Sequence, residues 1–201
     1  DANTTSDGNT AVGYRALTTN TTAEINTAIG FQALRLNTTG GSNTSVGANA
    51  LSANTTGTGN VAVGYNVLDA NTTANHNVGM GFEALTACTT GPANVCIGYR
   101  TGAQLTTGGN NTAIGFVAMG NANVTGGTNT AIGYAALYSL SGGSDNLALG
   151  RDAGRTGSPG GQVTTGSHGI FLGDEQVTGA HIQVDWTVAS DARDKTDFTA
   201  L

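Results

Sequence analysis

An all-β parallel β-solenoid, or β-roll, of 17-residue coils is the fold this sequence predicts, and three observations predict it. First, a five-residue unit, Asn-Thr-Ala-Ile-Gly, stands complete at 26–30, 111–115 and 129–133, with variants at 9–13, 43–47, 60–64, 77–81, 94–98 and 146–150. Its closing glycines fall at 13, 30, 47, 64, 81, 98, 115, 133 and 150, a step of 17 residues with one step of 18. A fixed period over most of a chain signals a stacked repeat architecture. Second, helical arrays need at least ~30 residues per repeat, so 17 residues cannot hold a helix pair. Third, the start of each repeat alternates: Thr27, Ile29 and Phe31 share one face, Ala28 and Gly30 the other. That is the period-2 pattern of a strand rich in β-branched residues.

Within one repeat, the strand is followed by a second short strand or bend, as in Gln32-Ala-Leu-Arg-Leu36. Asn-Thr-Thr-Gly then supplies turn chemistry, because Asn and Gly tolerate positive φ and Asn bonds nearby backbone. Stacking puts each repeat position above itself at about 4.8 Å, so columns are expected. One apolar column is Val12, Ile29, Val46, Val63, Met80, Ile97, Ile114, Ile132 and Leu149. A second is Leu17, Leu34, Leu51, Leu68, Leu85, Met119 and Leu137. Both are expected inside. A ring column, Tyr14, Phe31, Tyr65, Phe82, Tyr99, Phe116 and Tyr134, is interrupted by Ala48 and Arg151. Asn20, Asn37, Asn54 and Asn71 form an amide column whose members can satisfy one another along the axis, as in cross-β stacks.

Composition narrows the function classes. Charged residues are 10% of the chain, against roughly 25% in typical globular domains, and Gly is 32 of 201 residues. A net charge of −6 with no Lys/Arg cluster argues against a nucleic-acid partner. No apolar run approaches the ~18 residues of a membrane span, so membrane insertion is not expected. Cys96 sits in the Ala slot of its repeat and Cys88 in the slot of Asn20, Asn37, Asn54 and Asn71; both read as lattice substitutions. With three scattered histidines they lack metal-ligand spacing, and neither metal nor cofactor is expected. Asn-x-Ser/Thr triplets such as Asn20-Thr-Thr match glycosylation acceptors but fall in the amide column.

The organisation reads as four parts. Residues 1–8 are the tail of a preceding repeat, so the chain is expected to begin within a longer array. Residues 9–173 are the solenoid, with a loop insertion near 155–162 and a tenth repeat in which Gly169 takes the Asn slot. Residues 174–189 form a closing strand, with Ile182, Val184, Trp186 and Val188 on one face. Residues 190–201 turn charged, and six of the thirteen carboxylates lie at or beyond Asp174. A coil offers few large apolar side chains against the cost of ordering seventeen residues. Side-by-side association of identical chains, burying the ring column and using the small Ala/Gly face for close approach, is expected to supply the missing area.

Two resemblances give these features a context. The Asn-Thr-Ala-Ile-Gly coils resemble the repeats of phage tail fibres and are similar to the β-roll heads of trimeric autotransporter adhesins, over roughly 9–173. The stretch Trp186-Thr-Val-Ala-Ser190-Asp191-Ala-Arg193-Asp-Lys195-Thr-Asp197-Phe198 resembles the junction between a phage fibre and an endosialidase-type C-terminal intramolecular chaperone. The resemblance implies a homotrimeric fibre in the virion, extracellular, joined to other phage tail proteins and contacting a host cell-surface glycan or protein receptor. It also implies a chaperone that trimerises the fibre and releases itself by cleavage, with residues 190–201 expected to be the start of that C-terminal domain, truncated here. Ser190 would be the nucleophile, Lys195 its general base, and Asp191 would flank the scissile bond; a hydroxyl beside a neutral Lys is a recognised activated pair. Asp194 departs from the family, which has an apolar residue there. The same residues also suit a helix start, with Ser190 as N-cap. Apart from that single-turnover event, no enzyme activity is expected. Two other readings are a bacterial trimeric surface adhesin head and a polysaccharide-degrading tailspike. The latter needs paired carboxylates, and the array offers scattered ones: Glu24, Asp69, Glu83, Asp145 and Asp152.

Overall fold

The computed structural model describes residues 6–158 and 161–177. They form a parallel β-solenoid with one short strand per coil. The strands are β1 (Thr10–Val12), β2 (Thr27–Ile29), β3 (Thr44–Val46), β4 (Val61–Val63), β5 (Val78–Met80), β6 (Val95–Ile97), β7 (Thr112–Ile114), β8 (Thr130–Ile132), β9 (Leu147–Leu149) and β10 (Ile170–Leu172). They make one ten-stranded sheet in strict sequence order. The pairing is parallel and in register: Ala28 lies beside Ala11 and Ser45, and Ile29 beside Val12 and Val46. The tenth repeat keeps this register across the insertion, pairing Ile170 with Leu147.

The stretch after each strand is a series of bends with no second strand. These corners are also tied coil to coil: Gln32 N–H donates to Tyr14 C=O, Leu34 N–H to Ala50 C=O, and Thr38 N–H to Thr55 C=O. Closing a coil in seventeen residues takes left-handed backbone at non-glycine positions, such as Gln32 (φ 58°), Leu34 (φ 48°) and Ser42 (φ 60°). Such conformations persist where surrounding structure over-determines them, which the ladder above and below does. At the closing glycine the requirement is absolute. Gly98 has φ 132°, and a Cβ there would stand 2.1 Å from the carbonyl oxygen of Gly115.

The core is narrow, and it inverts one expectation. The Leu column is buried as expected, but the Ile column faces outward: Ile29, Met80, Ile97 and Ile132 all carry substantial exposed surface. The strand residues that point in are the small ones, Ala28, Ser45, Ala62, Gly79, Cys96, Ala113, Ala131 and Ala148. The alternation therefore holds, with its faces exchanged. The interior between strand and Leu corner is too thin for a branched side chain on the strand. Gly79 shows the limit: a Cβ there would meet Val67 Cγ1 at 2.5 Å, and Val67 replaces the Ala that fills this slot in neighbouring coils, as Ala50 and Ala84 do. The Ala/Gly face lines the coil and is not available to another chain.

Two hydrogen-bonded asparagine ladders complete the interior. In the expected one, Asn37 Nδ2 donates to Asn20 Oδ1 (3.2 Å), Asn54 Nδ2 to Asn37 Oδ1 (2.8 Å) and Asn71 Nδ2 to Asn54 Oδ1 (2.7 Å). The second consists of the asparagine that opens each repeat. The Asn43 backbone N–H donates to Asn26 Oδ1 (2.9 Å), and Asn43 Nδ2 to Gly57 C=O (2.8 Å). It runs the length of the array and ends where the Gly169 N–H donates to Asn146 Oδ1 (2.9 Å). Apart from Asn71 Oδ1, the buried amides of these columns exchange water for fixed partners, which is the condition for burying polar groups at all.

Candidate functional site

Most of the exposed large apolar side chains among the described residues lie on the outward face of the sheet and the corner beside it. The strand rows of Thr27 and Ile29 project outward, and after the closing glycine the ring column stands next to them. The rings stack along the axis. Tyr65–Phe82, Phe82–Tyr99, Tyr99–Phe116 and Phe116–Tyr134 have centroids 4.9–5.4 Å apart and planes within 15° of parallel. Tyr14 and Phe31 make a separate pair at 5.5 Å. Rings stacked this way cover one another's faces and present edges to solvent. Phe82 and Tyr99, with a ring on each side, are still 42% exposed. The face is continuous, so it exceeds the scattered apolar exposure usual on a surface.

Asp69, Glu83, Asp145 and Asp152 are spread along the solenoid, each engaged by a neighbour. Asp69 Oδ1 accepts from Thr86 Oγ1 at 2.7 Å, and Glu83 pairs with Arg100 at 3.2 Å. Asp152 pairs with Arg151 at 3.3 Å and Arg155 at 2.6 Å. Asp145 accepts from Thr128 Oγ1 and lies 3.6 Å from His168 Nε2. Among the described residues no group of three or more His, Cys, Asp or Glu side chains is placed to hold a metal ion.

Cys88 and Cys96 are free thiols inside the coil. Burial pushes the Cys88 thiol up to about 11, and Cys96 is raised further by burial and by the neighbouring Cys88. Both are held as neutral thiols at physiological pH, which removes the thiolate that redox or metal chemistry uses. The asparagines of the glycosylation-like triplets at Asn20, Asn37, Asn54 and Asn71 are fully buried in the ladder. Asn123, in Asn123-Val-Thr125, is exposed.

Ser190, Asp191 and Lys195, the residues expected to carry self-cleavage, lie outside the described residues, as do 178–189 of the closing segment and residues 1–5. The first residues of that segment, 174–177, form a turn closed by Val177 N–H donating to Asp174 C=O at 3.2 Å. The insertion near 155–162 is anchored at Ser158, whose hydroxyl accepts from the Gly154 N–H and donates to Gly173 C=O, both at 3.1 Å. The outward Ile face is the candidate surface that sequence reasoning missed. The signal was there: the inner strand position holds only Ala, Ser, Gly or Cys from β2 to β9.

Comparison with protein-family models, with curated proteins and with solved structures returned no match. The chain is thus placed by its own geometry, as a β-solenoid with one long apolar face.

Proposed function

We propose that the chain is a structural and host-attachment segment of a phage tail fibre, part of the extracellular virion, in which three copies associate through the outward apolar face. The observation that carries the reading is that face itself. Ten strands at ~4.8 Å make it about 45 Å long, and a continuous patch on that scale marks a protein–protein contact. Equal copies stacked in register would bring like columns together along the whole length. A solenoid whose corners are all hydrogen-bonded coil to coil is stiff and extensible, which suits a shaft connecting other tail proteins to a host surface receptor. The strand rows take the central role in association, with the ring column at their margin.

Light scattering in solution tests the assembly: the expected mass is three times the 19.9 kDa chain. Ile97→Asp, placing a charge in the middle of the face, should reduce it to one chain. A wild-type monomer with an intact solenoid would refute the assembly.

Maturation is proposed to proceed by self-cleavage, with Ser190 as nucleophile, Lys195 as base and Asp191 beside the scissile bond. This rests on the junction resemblance. In a chain extended past Leu201, Ser190→Ala should leave a single uncleaved band, and normal processing of that variant would remove the assignment.

A further inference from the structure

We propose that the break in the ring column at Ala48 is a binding slot for one monocyclic aromatic group. The argument starts from the lattice. Tyr14 stacks on Phe31, and Tyr65 stacks on Phe82. The remaining faces of Phe31 and Tyr65 therefore look toward each other across the coil whose ring position is Ala48. Two strand spacings of ~4.8 Å put these faces about 10 Å apart, centroid to centroid. Stacked aromatic pairs prefer centroids ~4.5–7 Å apart, so one ring placed midway satisfies both jaws.

The chain itself displays the occupant. Three coils further on, Phe82 and Phe116 flank Tyr99 at 5.4 and 4.9 Å. There the middle ring rises from the chain's own backbone; at Ala48 only a methyl does. The slot is open. Ala48 keeps solvent exposure, and its neighbour Asn49 is held aside, donating from Nδ2 to Asn66 Oδ1 at 3.0 Å. The jaws are half-exposed. Within the described column it is the gap with a ring on each side. A guest must enter from solvent, because the methyl closes the floor. The slot does not depend on the function proposed above, since it follows from ring spacing within one chain.

The test uses the whole chain with ¹³C-methyl alanine and p-cresol as the probe. A ring stacked between the two jaws meets the Ala48 methyl edge-on, so its ring current shifts that methyl downfield. The expected result is a saturable shift at Ala48 at least fivefold larger than at any other alanine methyl. Ala48→Phe fills the slot, so p-cresol should then give no saturable shift at any remaining alanine methyl. Phe31→Leu and Tyr65→Leu each remove a jaw and should weaken binding at least tenfold, which keeps the test decisive if the filled variant misfolds. Cyclohexanol should bind at least tenfold more weakly than p-cresol. No shift at Ala48, equal binding of cyclohexanol, or unchanged binding in the jaw variants overturns the proposal. The mass measurement above reads association separately, so the two proposals fail independently.

Discussion

The coils up to Asn71 and the coils from Cys88 onward share one backbone but fill the same interior slot with opposite chemistry. In the first set the slot holds the amides of Asn20, Asn37, Asn54 and Asn71; in the second, Cys88, Leu105, Val124, Leu140 and Val163 are buried there. An amide slot is specified by its neighbours, since each Asn needs a donor above or an acceptor below. An apolar slot asks only for volume. The second set uses that freedom. Gly102 and Gly154 replace the corner leucine, while Leu105 and Val163 fill the core from the other side of the coil.

The closing glycine is common to both sets and supplies the reference. A Cβ on Gly47 would stand 2.1 Å from Gly64 O, and one on Gly98 2.1 Å from Gly115 O. The clash is with backbone and the φ is one that L side chains avoid. Gly47→Ala and Gly98→Ala should each cost at least about 4 kcal/mol, at the upper end for point changes. Urea unfolding should show the two costs to be alike. A large difference would mean that the backbones, not just the cores, diverge.

Exchanging the two chemistries comes next. Asn54→Leu leaves Asn37 Oδ1 without its donor and Asn71 Nδ2 without its ladder acceptor. Unsatisfied buried groups cost about 1–3 kcal/mol each, so a loss of about 2–4 is expected. Leu105→Asn buries an amide between Cys88 and Val124 and removes packed volume, for about 3–5 kcal/mol. If Asn54→Leu proved neutral in thermal melts, the amide ladder would be tolerated filler, and the contrast between the two sets would collapse.

Packing on the strand side gives a smaller effect. Gly79→Ala should cost about 1–3 kcal/mol, as overpacking does, because its methyl meets Val67. Val67→Ala should recover much of that loss in the double variant, a coupling a mutant cycle would measure. Additive costs would show that the strain at Gly79 is backbone strain.

Much of this was legible in sequence because the repeat reports it directly: period, parallel register, Leu column, ring column and first amide ladder all follow from aligned positions. The inward face did not. Alternation separates Ile29 from Ala28 without saying which one points in, and the usual rule buries the larger residue. Here cross-section decides: seventeen residues closing a coil around Leu34 leave room for a methyl opposite. The second asparagine ladder was also hidden, since nothing in the sequence gives Asn26 and Asn43 a partner until their side-chain oxygens are seen to accept backbone N–H groups of the next coil. For Ser190, Asp191 and Lys195, the reading still rests on the sequence.

The boundary between the two sets yields the smallest and most specific expectation. Asn71 Oδ1 is buried without a partner, because the next coil offers Cys88, whose thiol donates to Gly91 C=O. Cys88→Asn would place an Nδ2 where Asn71 Oδ1 can accept from it, continuing the pattern of Asn54 and Asn71. The new Oδ1 would then face Leu105, which has no donor. The defect moves up one coil and is not removed, so stability should change by less than about 1 kcal/mol, the net worth of a typical hydrogen bond. The other ladder escapes this because its donors are backbone N–H groups: it ends on Gly169 with Asn146 Oδ1 still satisfied. A gain of several kcal/mol from Cys88→Asn would show that Leu105 gives way to a donor, and that the side-chain ladder can end as cleanly as the backbone one.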